Sequence, residues 1–97
     1  MGFFSSPADK YSQTRHTITE LDIKKMISHE HIRSLDSAQV SLVEETLLAA
    51  RGSDGKLSMR QAYEAIHALR KKFTISELDE KGVLQALGDF FSGHHSV

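Results

Sequence analysis

The residues with the most chemistry to offer in this sequence are six histidines, two of which flank an acid in His29-Glu30-His31. A metal centre needs three or four ligands converging on one point, and a helix brings together residues three or four apart. His29 and His31 are two apart and point to different sides of a helix. His94 and His95 lie close to the last residue, and His16 and His67 stand alone. No two histidines are four apart with a neighbouring Glu, the spacing by which a helix holds a catalytic zinc. The chain has no cysteine, which excludes disulfides, thiolate ligands and thiol nucleophiles together. It carries neither a glycine-rich phosphate loop nor a serine elbow. The histidines therefore read as surface residues of loops and termini, and the carboxylates as helix caps and solvated faces. No catalytic residue, metal site or cofactor is expected.

Charge offers a second kind of chemistry. Arg60, His67, Arg70, Lys71 and Lys72 follow one another within one stretch, with Arg51 and Lys56 just before it. On a helix these residues resemble the recognition element of a helix-turn-helix. Glu64 interrupts the stripe, and the segment Gly52 to Leu57 exceeds the usual three- or four-residue turn. Lys plus Arg number 12 against 13 for Asp plus Glu, so the net charge is -1 and gives no global pull toward nucleic acid. Cations in a last helical turn also suit the helix dipole without any ligand. Apolar recognition is the contrasting option. Phe90 and Phe91 adjoin Leu87, and helical spacing turns only one of the two fully inward, leaving the other as a partner anchor. The candidate partner-binding residues are thus Arg60, His67, Lys71, Lys72, Phe90 and Phe91.

These side chains depend on helices for their placement. Of the 97 residues 39% are apolar and 26% charged, with a single Pro, which fits one soluble, helix-rich domain. No stretch is long and apolar enough for a membrane span. Helix starts are written four times. Thr17-Ile18-Thr19-Glu20-Leu21-Asp22 offers Thr17 with Glu20 or Thr19 with Asp22, and Thr74-Ile75-Ser76-Glu77-Leu78-Asp79 repeats the phrase. Asp36 with Gln39 and Ser58 with Gln61 are the other two starts. The predicted helices lie near 19–29, 37–51, 59–72 and 77–91. The third has the clearest face: Met59, Ala62, Tyr63, Ile66, Leu69 and Phe73 share one side, and Arg60, Glu64, His67 and Lys71 the other. The fourth carries Leu78, Val83, Leu84, Leu87, Phe90 and Phe91, with Gly82 and Gly88 suited to close approach of a neighbour. Gly52 follows the second helix where a left-handed C′ residue belongs. Ile32 and Leu35 read as apolar anchors in the first connection. Thr and Ile alternate between Thr14 and Leu21 as in a strand, but no second strand is evident to pair with it. The expected fold is all-α: a small single-domain bundle of about four helices with short connections. The expected division is a flexible N-terminal segment at 1–16, the helical domain at 17–92 and a frayed tail at 93–97.

The start Met1-Gly2-Phe3-Phe4-Ser5-Ser6 lacks the cationic and apolar regions of a secretory signal, so a cytoplasmic location is expected. It fits the short N-myristoylation pattern at Gly2, although the terminus reads more simply as a frayed end whose Phe pair tucks onto the domain.

Between the second and third helices runs Arg51-Gly52-Ser53-Asp54-Gly55-Lys56-Leu57-Ser58, with Asp54-Gly55 a strong turn dipeptide. Over about residues 44–69 this region resembles a degenerate EF-hand loop. The resemblance places Gly55 at the sharp turn, Leu57 at the apolar position through which such loops pair, and Ser58 at the ninth position. The first, third and twelfth positions then fall on Ala50, Gly52 and Gln61, and only Asp54 supplies a carboxylate. Such a loop is not expected to bind Ca²⁺ at micromolar levels. The phrase from Leu47 to Ser58 is also similar to the tellurite-resistance B-type helical domains, in which an Ala-rich helix runs into an Asp-Gly turn. Met59-Arg60-Gln61 departs from both patterns where acids belong, so neither resemblance brings a metal with it. The expected function is that of a non-catalytic protein-interaction module, binding a partner or itself through helix faces. The alternative is a nucleic-acid-binding regulator using the basic third helix, Arg60 to Lys72.

Overall fold

Each of the four helices begins on a reciprocal pair of side-chain bonds. A computed structural model of the chain describes residues 11–28, 32, 34–72 and 74–92. Among these, α1 spans Glu20–Met26, α2 Ser37–Ala50, α3 Met59–Lys71 and α4 Glu77–Phe91. Thr19, Asp36, Ser58 and Ser76 are the caps, closed by Asp22, Gln39, Gln61 and Asp79 respectively. In every case the cap side chain accepts from the backbone three residues on, and that residue's side chain accepts from the cap's own N–H. Two orphan donors per helix are satisfied in this way. Of the two starts legible before α1, the structure uses Thr19 with Asp22. Ile18 before that cap and Ile23 inside the helix are both fully buried, as in a hydrophobic staple. The first helix stops earlier than its predicted bound of residue 29: Ile27 is its C-cap, with its N–H on Ile23 O.

The chain is mostly helical but not strictly all-α. Strand β1, Arg15–Thr17, pairs antiparallel with β2, Lys56–Ser58, with His16 opposite Leu57. The strand suggested by the alternating Thr and Ile residues between Thr14 and Leu21 is thus present only at Arg15–Thr17, because Thr19 caps α1 and Glu20 and Leu21 belong to that helix. The partner of β1 lies inside what the sequence presents as a helical-hairpin loop. Ile18 N–H extends the ladder to Gly55 O at 3.1 Å.

Packing follows from the apolar stripes. Helix α3 lies between α2 and α4, α1 packs on α2 and α4, and β2 leans on α3. Ile23, Val43, Leu47, Leu57, Ile66, Val83 and Leu87 are fully buried in one cluster. Each such side chain contributes about 1.5–3 kcal/mol relative to its exposed state. Along α3, Ala62, Tyr63 and Ile66 are buried and Met59 and Leu69 pack partly against the core, as the periodicity requires. Phe73 lies outside the described residues. Ile32 and Leu35 are buried anchors. The close approach expected at Gly82 is made by Ile32, whose Cγ2 would lie 3.2 Å from an added Cβ, whereas an added Cβ at Gly88 meets nothing among the described residues.

Several expectations are corrected here. Leu78 is not a core residue; it is 68% exposed. Glu80 is not on a solvated face but buried, and Asp79, the capping partner of Ser76, is buried beside it. Gly52 is not left-handed. The positive φ, +75°, falls on Gly55, because the turn that returns the chain to β2 is made there.

Candidate functional site

Beyond Ala50 the chain leaves α2 through an extended Arg51 and folds back on itself. Gly55 N–H bonds to Gly52 O at 3.0 Å, and Gly52 N–H to Lys56 O at 3.1 Å. Asp54 Oδ1 accepts from Lys56 N–H at 3.1 Å, an Asx turn that fixes the carboxylate on the inner side. The side chain of Arg15 crosses from β1 into this bend. Its Nη1 donates to Asp54 Oδ2 at 2.9 Å and its Nη2 to Asp54 Oδ1 at 2.8 Å, a two-pronged fork. Nη2 also reaches Lys56 O at 3.2 Å. The hydrogen bond from Arg15, with a smaller one from the Lys56 backbone, holds the Asp54 carboxyl below its ordinary value. The absence of a side chain at Gly52 is what admits the guanidinium. A Cβ there would land on Arg15 Nη2 and lie 2.9 Å from Asp54 Oδ1. From the opposite direction, Arg51 Nη1 donates to Ile18 O at 2.7 Å. Strand and loop are thus tied by two arginines pointing opposite ways.

These contacts decide whether the loop suits Ca²⁺. In the EF-hand correspondence Asp54 is the fifth position and Lys56, through its carbonyl, the seventh. Both are engaged by Arg15. Gln61, at the twelfth position, turns its Oε1 to the Ser58 N–H at 2.9 Å. Gly52 offers no side-chain oxygen. The residues present do not fit a calcium ion.

A second constellation lies on the seam between α3 and α4. The buried Glu80 carboxylate faces His67 Nδ1 at 2.8 Å through Oε2 and Arg70 Nε at 3.1 Å through Oε1. His67 stacks on Tyr63 with ring centroids 5.0 Å apart, and Tyr63 on Tyr11 at 4.8 Å. Burial, and then the Glu80 charge, push the Tyr63 phenol above its ordinary value. Beside Glu80, the Asp79 carboxylate accepts from the Ser76 N–H at 2.9 Å and from the Ser34 hydroxyl. Both buried carboxylates are therefore engaged at each oxygen by groups of this chain.

The six candidate residues do not form one cluster. Lys71 and Lys72 are exposed at the end of α3. Arg60 is half-buried, with its N–H on Ser12 O at 3.0 Å. His67 is not on the solvent-facing stripe but is drawn to Glu80, as is Arg70. Phe90 and Phe91 are both half-buried against the core and meet edge to face at 5.7 Å. Phe91 also stacks on His16 at 4.7 Å. Helical periodicity alone assigns one of the pair to solvent; the strand-borne histidine, invisible to periodicity, covers the other face. Gly2, Phe3, Phe4, His29, His31, His94 and His95 lie outside the described residues.

Sequence reasoning missed Arg15 and the leucines at 21 and 78, the latter pair 61% and 68% exposed. A signal for the leucines was present. Each occupies the same place in the repeated Thr-Ile-(Thr/Ser)-Glu-Leu-Asp phrase, two residues past the cap, where the helix start faces away from its buried Ile. Arg15 had none, since its partner is 39 residues away. The chain matches no family model, no curated protein and no solved structure.

Proposed function

We propose that the chain is a non-catalytic protein-interaction module, binding a protein partner or a second copy of itself through helix faces. The observation that carries this reading is the repeated capping phrase. Twice it buries its Ile, Ile18 and Ile75, and twice it turns a Leu to solvent, Leu21 and Leu78. One exposed leucine needs no explanation, but the same outward position filled twice by a large apolar side chain is a pattern suited to contact. Phe90 and Phe91 add partly buried aromatic surface, and Lys71 and Lys72 supply charge for steering. The non-catalytic part of the proposal is supported by the engagement of Asp79 and Glu80, whose oxygens are held by the Ser76 N–H, the Ser34 hydroxyl, the His67 ring and the Arg70 guanidinium.

The alternative, nucleic-acid binding through Arg60 to Lys72, is weakened because the buried Glu80 carboxylate pairs with Arg70 and takes the His67 ring, so both side chains are turned to the α3–α4 seam. A titration of fluorescent duplex DNA separates the two. At about 150 mM salt the module should bind DNA weakly and without sequence preference. Nanomolar, sequence-selective binding at that salt would refute the proposal and favour the alternative.

A further inference from the structure

We infer that the bend between α2 and β2 is a guanidinium-binding site, and that its occupant is the chain's own Arg15. Three acceptors converge on one planar cation: both oxygens of Asp54, at 2.9 and 2.8 Å, and the carbonyl of Lys56, at 3.2 Å. Asp54 and the Lys56 carbonyl each have a partner besides the arginine. Asp54 is oriented by the Lys56 N–H, and the Lys56 carbonyl is held by Gly52 N–H. The floor is a glycine at which any side chain would collide with Nη2, although its backbone does not have the positive φ that demands glycine. Gly52 thus leaves room for the guanidinium in the position it takes here.

The chemistry selects this cation over the others. A guanidinium donates in a rigid fork that matches a carboxylate edge to edge and leaves a further N–H for the carbonyl. An ammonium is a point charge and cannot span the two carboxylate oxygens and the carbonyl with the same fixed geometry. A calcium ion calls for six or more oxygens, and this bend offers three. The ligand class is an arginine side chain carried on an extended strand antiparallel to β2, since Arg15 enters from the position opposite Ser58. The pair is solvent-accessible, with side-chain exposures of 40% and 46%, so the site depends on shape and hydrogen-bond count more than on desolvated charge.

Chemical rescue tests the inference. In Arg15→Ala, methylguanidinium should move the amide resonances of Asp54, Gly55 and Lys56 in a saturable way in the millimolar range. Methylammonium and Ca²⁺ at the same concentrations should not, and none of the three should move these amides in the native protein. Equal or larger shifts with Ca²⁺ or methylammonium would overturn the assignment, as would no response to methylguanidinium in a folded variant. Gly52→Ala covers the case in which Arg15→Ala fails to fold. It keeps the charge but fills the floor, so the Asp54 carboxyl should titrate closer to the ordinary aspartate value than in the native protein. An Asp54 titration identical to the native one would show that the guanidinium does not need this space, and the inference would fail.

Discussion

Gly82 and Gly88 lie in the same helix, and alanine at each should shift stability differently. Both replacements gain the same helix-propensity term, about 0.5–1 kcal/mol, by removing backbone freedom from the unfolded chain. At Gly88 nothing among the described residues lies within 4 Å of the new methyl group, so the gain is kept whole. At Gly82 the methyl meets Ile32 Cγ2 at 3.2 Å and Cγ1 at 3.9 Å. Ile32 is buried and β-branched, so its χ1 is stiff and its far side is already packed. Relieving such an overlap in a close-packed site costs about 1–3 kcal/mol. The net change at Gly82 then runs from neutral to about 2 kcal/mol destabilising, and the two variants should differ by about 1–3 kcal/mol. Urea denaturation with a shared m-value measures this directly, and in a domain of this size 1 kcal/mol appears as about 4–8 °C in Tm. In a double-mutant cycle, Ile32→Ala should remove most of the penalty of Gly82→Ala. Equal stabilisation by the two alanines would refute the placement of Ile32 over α4.

Other consequences follow from single contacts. Ser58→Ala removes the cap that accepts from Gln61 N–H at 3.0 Å and should cost about 1 kcal/mol by chemical denaturation. Glu80→Gln keeps the shape but removes the charge facing His67 and Arg70, and should destabilise by about 1–3 kcal/mol; a change of a few tenths would mean that water already screens the trio. Tyr63 has a folded pKa above its unfolded value, so its contribution to stability is intact below about pH 10 and is lost as pH rises through the folded value. Phenolate absorbance should show Tyr63 ionising above the pH of a free tyrosine; ionisation at or below that pH would contradict its burial beside Glu80.

What could be read from the sequence is what depends on near neighbours. A capping box joins residues three apart, and the face of α3 repeats every three or four, so Asp36, Ser58, Ser76 and the Ala62–Tyr63–Ile66 stripe are legible without a fold. The β1–β2 pairing is not. Each strand is three residues long, and Thr17 finds Lys56 only because α1 and α2 fold between them. Glu80 illustrates the same limit: one acid among several at the start of α4, it is buried because α3 brings His67 and Arg70 over it. Gly52 looks like a left-handed helix terminator because its signal, a glycine just after a helix, is shared by a glycine that makes room for a side chain from another strand. Charge and periodicity single out Arg60, His67, Lys71, Lys72, Phe90 and Phe91. Neither reveals that His67 is recruited by Glu80 or that His16 covers Phe91.

The claim that this chain works by protein contact is tested most directly by comparing what co-purifies with the tagged native protein and with the Leu21→Ser, Leu78→Ser double variant. Both positions are more than half exposed, so Tm should hold within a few degrees. The native protein should retain a protein in fixed stoichiometry, a second copy included, and the double variant should lose it. An identical set of companions in both preparations, or nucleic acid as the retained species in each, would contradict the account.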